Sequence, residues 1–217
     1  MQPWTVEYGT FWAIQSETGL PSVYSAEIET TFEEAGSADV ENLASAMNLP
    51  RPTLIEERFR QQRRCFCLKR DGRIVTYGWV THGKEHVGEM ERYFNLHDSE
   101  AYIWHCGTIS ECRRKGLYSA LLSQIIHRLA EEKSRGTIPT IWIGASRLNQ
   151  PSIQGIANAG FKRVADVTYR RIMNLTLMWF KESTSDYPAL IPEVYRIMLK
   201  NRDRRIGNLA IGWYTGK

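Results

Sequence analysis

The residues best equipped for chemistry lie in one turn. Arg113, Arg114, Lys115 and Gly116 follow one another, and an amphipathic run that opens with Leu117 and Tyr118 begins directly after them. A helix start leaves its first backbone N–H groups without partners and carries the positive end of the helix dipole. Three cations and a glycine at that point describe a site for a phosphate-bearing ligand. Taken alone, the same turn is also what a solvated surface looks like. Ahead of it runs an apolar stretch, 101–109, with Tyr102, Trp104, His105, Thr108 and Ile109, which reads as a buried strand feeding the turn.

Candidate proton carriers cluster in and before that strand. His105 has a tunable imidazole, but strict strand alternation sets it opposite Tyr102, Trp104 and Cys106, as a packed core histidine. Carboxylates lie upstream in the polar stretch 83–100, among them Glu85, Glu89, Glu91 and Asp98. This stretch reads as a mobile connection that borders a site. His82 and His86 have the four-residue spacing of a helical metal pair, yet Gly83 and Gly88 argue for a loop and against a metal. Cys65, Cys67, Cys106 and Cys112 form no paired knuckles, so free, buried thiols and a reducing cytoplasm are expected.

The elements that must position these groups follow from local pattern. Residues 1–22 hold Trp4, Tyr8, Phe11 and Trp12 without a clear period and are taken as an N-terminal arm. A first strand is expected at 23–32, a helix from 38 to before Pro50, and a second helix at 53–62. Asp71-Gly72 between two β-rich runs predicts a hairpin of 64–69 with 74–80. A helix from 117, a strand at 138–143, a helix at 149–159 and strands at 161–164 and 167–180 complete the core, 23–180. A partly helical, basic extension, 181–217, has its helix at 193–204. The expected class is α+β, a mixed and mainly antiparallel sheet with helices on both faces.

The 217 residues suit one domain with extensions. A net charge of +4 is too slight for a non-specific nucleic-acid binder. No apolar run reaches the length of a membrane span, so a soluble protein with no membrane or nucleic-acid partner is expected.

Two motifs together resemble the GNAT superfamily of N-acetyltransferases. Arg113-Arg114-Lys115-Gly116-Leu117-Tyr118 matches its acyl-CoA signature, (Gln/Arg)-x-x-Gly-x-(Gly/Ala), between strand and helix. Asn149-Gln150-Pro151-Ser152, running on to Gly160-Phe161, matches the Asn-x-x-(Ala/Ser)…Gly-Phe helix that follows it. The resemblance spans about residues 23–180 and implies an acyl-CoA N-acyltransferase fold. It also implies that the amides of residues 113–118 hold the pyrophosphate of acetyl-CoA or another short acyl-CoA. By the same carry-over Thr108 and Ile109 pair with pantetheine and the acyl carbonyl, and Asn149 and Ser152 lie beside the cofactor. No metal is implied.

Three positions depart from the family pattern. Tyr118 replaces the last Gly or Ala. Ile156 stands where many members carry the tyrosine that protonates the leaving thiolate. Tyr102 and Trp104 occupy strand positions where several members carry a base. Proton removal then falls to water, to His105 or to a loop carboxylate such as Glu89, and the missing strand base points towards an aryl or sugar amine of low pKa. The expected catalytic set is therefore Thr108, His105, Tyr102 and Glu89. The expected activity is transfer of an acetyl group to a primary amine of a small molecule by direct attack in a ternary complex. Alternatives are a module that binds acyl-CoA without turnover and an acetyltransferase of protein lysines or N-termini. Oligomeric state is left open, a homodimer among the options.

Overall fold

The computed structural model describes residues 4–15, 19–87, 92–132, 140–172, 175–182, 190–199 and 203–213. In chain order they form β1 (Trp4–Ile14), β2 (Thr31–Ala35), α1 (Val40–Ala46), α2 (Thr53–Arg60), β3 (Arg64–Arg70), β4 (Arg73–Thr81), β5 (Lys84–Val87), β6 (Arg92–Asn95), β7 (Glu100–Thr108), α3 (Leu117–Glu132), β8 (Thr140–Ser146), α4 (Gln150–Asn158), β9 (Lys162–Ile172), β10 (Leu175–Glu182), α5 (Ile191–Met198), β11 (Arg204–Ile206) and β12 (Leu209–Trp213). Ten strands form one sheet in the order β11-β12-β10-β9-β1-β8-β7-β4-β3-β2, and β5 and β6 form a separate hairpin. Among the described strands only β7 and β8 pair in parallel. The fold is α+β, as expected.

The sheet has a packed layer on each face. On one side α3 presents Leu117, Leu121, Leu122, Ile125, Ile126 and Leu129 to Phe66, Val80, Ile103, Ile141 and Ile143. Each such side chain contributes about 1.5–3 kcal/mol when fully buried, so this face holds α3 and its N-terminus firmly in place. On the other side Phe94, Tyr102, Trp142 and Tyr195 join one cluster, and Leu43 and Ile55 of α1 and α2 cover Cys65, Cys67, Tyr77 and Trp79. The four cysteines are free, and Cys65 and Cys67 share a face as their spacing requires.

Several expectations are corrected. Residues 1–22 are not simply an arm, because β1 lies inside the sheet between β8 and β9. Its period is hidden because both of its faces are covered: Trp12 and Ile14 pack in the α3 cluster, Phe11 and Ala13 in the opposite one. The strand expected at 23–32 is extended only from Thr31. Before it the chain crosses α3 irregularly, with the Tyr24 N–H donating to Ser123 Oγ and the Glu27 N–H to Lys115 O. The stretch 83–100 is not simply a connection, since it contains the hairpin β5-β6. The two pieces expected at 161–173 are one continuous strand, β9. The basic C-terminal helix stops at Met198, and Arg204 and Arg205 lie on a strand.

Candidate active site

The feature that creates a site is the divergence of β7 from β8. Their parallel pairing runs from Glu100↔Thr140 to Ile103↔Ile143 and ends there. Beyond it β7 continues through Thr108 paired only with β4, while Gly144, Ala145 and Ser146 stay with β1. The two strands therefore open like a V. A cleft of about 840 Å³ lies at that opening, lined from β7 by Tyr102, Trp104 and His105, from β8 by Gly144 to Ser146, from β1 by Glu7 to Phe11, and by Glu85, His86 and Tyr169.

A bulge re-aims β7 at this point. Tyr77 faces Gly107 and Trp79 faces Trp104, so β7 carries one residue more than β4 between these pairs, and His105 takes a left-handed φ of 42°. Alternation fails there. Trp104 and His105 both reach the side of α2, whereas Cys106 turns to the α3 side. His105 is therefore exposed and lines the cleft, which overturns the core-histidine expectation.

The hydrogen bond it makes defines its chemistry. Nη2 of Arg58 lies 2.7 Å from Nδ1 of His105. A guanidinium only donates, so Nδ1 must accept and the neutral ring carries its proton on Nε2. Nδ1, held by Arg58, is thereby not open to take a proton from a substrate. Arg58 is buried, with its guanidinium stacked over Trp79 and Trp104 at 4.8 and 4.6 Å. Burial, and then the charge of Arg63, lowers its pKa. Its Nη1 has no partner among the described residues.

Glu85 and Glu7 supply the carboxylates of the lining. Glu85 is buried, pairs with Arg63 Nε at 2.7 Å and Nη2 at 2.9 Å, and accepts from Thr81 at 2.7 Å. Its charge is spent. Glu7 accepts from the Tyr169 hydroxyl at 2.5 Å, across the β1-β9 pair. Sequence reasoning missed Glu7, Thr10 and Tyr169 because the strand that carries the first two was not recognised. Glu89, the loop carboxylate it named, and Glu91 lie outside the described residues.

On the α3 side the basic turn runs into a helix that starts at Leu117. Arg114 and Gly116 adopt left-handed φ of 62° and 71°, which curl the turn towards the helix start. Among the described residues the amides of Gly116, Leu117, Tyr118 and Ser119 donate to no backbone carbonyl. Arg113 and Arg114 are exposed and Lys115 is half-buried. Arg113 Nε reaches back to the Thr108 carbonyl at 3.2 Å.

Tyr118 turns inward. Its ring lies where a Cβ on Gly155 would sit, and its hydroxyl is hydrogen-bonded to Cys106. Its bulk thus leaves the turn's outer side open. Burial, and then the neighbouring thiol, holds the Tyr118 hydroxyl well above its usual pKa, and burial pushes the Cys106 thiol up to about 12. Both stay protonated near neutral pH.

Two carried-over contacts are altered. The Ile109 N–H donates to Val75 O at 3.0 Å inside the protein, so it is not available to pantetheine as it stands. Asn149 caps α4, its Oδ1 accepting from the Ser152 N–H at 3.2 Å. Ile156 is fully buried and offers no acid. Thr108 lies at the end of β7, its hydroxyl 3.3 Å from that of Thr76. The unpaired hydroxyl of Thr10, buried and lining the cleft, together with the open amides at the α3 start, fits a ligand that is polar along its length and phosphorylated at one end. Among the described residues no group of three or more His, Cys, Asp or Glu is placed to hold a metal. Among them, too, no helix is long and apolar enough to cross a membrane.

Comparison with known proteins agrees with this geometry. A solved acetyltransferase of the GNAT family from Colwellia psychrerythraea superposes with a TM-score of 0.52 at 14% identity, over 83% of this chain and 57% of that one. A functionally unknown conserved protein from Staphylococcus epidermidis gives 0.54 at 9% identity, over 83% and 63%. The chain thus spans less than two thirds of either protein, and at these identities the likeness is one of fold. No curated protein matches the chain. The model of the acetyltransferase (GNAT) family matches residues 22–161, well over half of the sequence. The chain belongs to the acetyltransferase (GNAT) family.

Proposed function

We propose that this protein is an acyl-CoA-dependent N-acyltransferase that moves an acetyl or other short acyl group onto a primary amine of a small molecule. The observation that carries this reading is the V between β7 and β8, with open amides at the α3 start on one side and an aromatic cleft on the other. When bound, acyl-CoA supplies an activated thioester. The turn from Arg113 to Tyr118 holds its phosphates, Thr10 and Thr108 contribute polar contacts along its length, and the V admits its acyl end. The cleft side then orients the amine against that end, so that direct attack within one complex needs no covalent enzyme intermediate.

Proton movement differs from the usual family arrangement. Ile156 donates nothing, and a thiol of the leaving group's type has a reference pKa of about 8.5, so it can depart as thiolate. The protonated Tyr118 hydroxyl is held by Cys106, on the α3 side of the sheet.

A second reading, binding without turnover, draws on the buried Ile156. Amine-dependent release of free CoA, followed with a thiol reagent and confirmed by the product mass, separates the two. Release with at least one small amine supports transfer, and tight acetyl-CoA binding with no release across a broad panel refutes it.

A further inference from the structure

We propose that Glu7 docks the acceptor's amine and takes its proton, and that the acceptor is a primary amine on a flat, apolar body without an acidic group. This assignment rests on the acyl transfer proposed above and goes beyond it in naming the residue and the substrate class.

Charge is the first argument. Among the described residues no lysine or arginine side chain lines the cleft. Of the two carboxylates among the described lining residues, Glu85 is neutralised by Arg63. Glu7 has a tyrosine hydroxyl and, among the described residues, no cationic partner. His105 accepts at Nδ1 from Arg58, which itself lies buried behind the Trp104 ring. Arg147 lies over the Tyr8 ring at the rim, 3.7 Å from Asp166, which Arg163 holds more closely at 2.5 Å. Among the described lining residues Glu7 is therefore the one carboxylate without a cationic partner.

Shape is the second. Phe11, Tyr102, Trp104 and Tyr169 give the cleft an aromatic wall. Aromatic faces attract an ammonium and pack against a flat apolar body. A carboxylate or phosphate on the acceptor would meet Glu7 without a cation to offset it, and a polyhydroxylated sugar would leave its hydroxyls against rings. Position is the third. Odd-numbered residues of β1 share the side of Tyr102 and Trp142, so Glu7 sits on the side opposite α3. It approaches the V from across the sheet.

The step balances without further reagents. The nitrogen lone pair forms the C–N bond to the acyl carbon, and the C–S bond breaks with its electron pair remaining on sulfur. The nitrogen becomes strongly acidic as the new bond forms, and its proton passes to Glu7 and on to water. A second proton, lost from the ammonium before attack, leaves by the same route.

The test compares phenethylamine, phenylalanine and glucosamine at saturating acetyl-CoA, with acetyl-CoA affinity measured by calorimetry. Phenethylamine should exceed both others in kcat/KM by about 10²-fold, because the carboxylate of phenylalanine meets Glu7 as a like charge and the hydroxyls of glucosamine are left against rings. Glu7→Gln should lower kcat/KM for phenethylamine about 10²-fold at pH 7 and leave acetyl-CoA affinity unchanged. The deficit should narrow near pH 10.4, where about half of the amine is already free and only the proton lost on C–N bond formation still needs an acceptor. Glu7→Asp should recover part of the loss. Should Glu7→Gln fail to fold, Tyr169→Phe, which removes only the orienting hydroxyl, should cost about 3- to 10-fold in the same assay.

Equal or better use of phenylalanine or glucosamine overturns the assignment, as does a pH-independent deficit or binding of acetyl-CoA without transfer to any of the three amines. Failure to bind acetyl-CoA at all overturns the underlying acyl transfer and this assignment with it.

Discussion

Replacing Gly116 with alanine strains the cradle in a way that can be worked out beforehand. Gly116 holds φ at 71°, and a Cβ there would stand 3.0 Å from Cε1 of Tyr24 and 3.7 Å from Cα of Ala26. A left-handed conformation costs an L-residue about 1–2 kcal/mol. The Tyr24 contact adds little, because that ring is half-buried and can shift by a few tenths of an ångström while its N–H stays on Ser123. At about 2–4 °C per kcal/mol for a chain of this size, Gly116→Ala should lower Tm by about 2–8 °C. A turn that instead relaxes out of the left-handed region spreads the first amides of α3, and the strain reappears as weaker binding, about tenfold per 1.4 kcal/mol. Differential scanning fluorimetry and calorimetric titration of acetyl-CoA read both terms. A variant with unchanged Tm and unchanged affinity would refute the claim that this glycine's conformation builds the site.

Gly155→Ala should destabilise by about 1–3 kcal/mol, since its Cβ overlaps the Tyr118 ring, and Tyr118→Ala should rescue much of that in a double-mutant cycle. Additive effects would break the proposed pairing. Burial pushes the thiols of Cys67 and Cys106 up to about 12. Only about 10⁻⁴ of either is thiolate at pH 8. Thiol titration should therefore be slow in the native protein and complete within minutes in denaturant, and rapid native labelling would count against the packing described. Acid should destabilise the fold. Burial alone would raise the Asp39 carboxyl, but the Lys69 and Gly36 hydrogen bonds hold it low, and the Arg64 hydrogen bond lowers Glu132. Depressed carboxyls contribute stability that is present above their unfolded values, near pH 4, and lost as pH falls through the folded ones. Tm should thus drop between about pH 4 and 3, less steeply in Arg64→Gln, and a Tm that rises on acidification would reverse the sign.

What was legible in the sequence tracks how local each signal is. The helix start after the turn at 113–116 and the capped helix at Asn149 rest on adjacent residues, and both helices begin where their motifs place them. The 64–70 and 73–81 hairpin is encoded by its Asp-Gly turn, and it too forms. His105 was misplaced because a bulge is a relation between two strands, visible only when Trp79 is found opposite Trp104. β1 was missed for a related reason. A strand covered on both faces loses the alternation that would reveal it, and its place between β8 and β9 depends on residues some 130 and 160 positions away. With it went Glu7 on the acceptor side and Thr10 on the cofactor side. Even so, the Glu7-x-Gly9-x-Phe11 spacing within a β-rich aromatic run was a usable signal.

The central claim is that the basic turn and the V-shaped opening form one acyl-CoA site. Calorimetric titration of acetyl-CoA into the wild type and into Gly116→Asp tests it most directly. The account predicts saturable one-to-one binding to the wild type at micromolar concentration, weakened by more than about tenfold in the variant, where a carboxylate and a strained backbone meet the phosphates. No binding to the wild type at millimolar acetyl-CoA, or equal binding to both proteins, would contradict it.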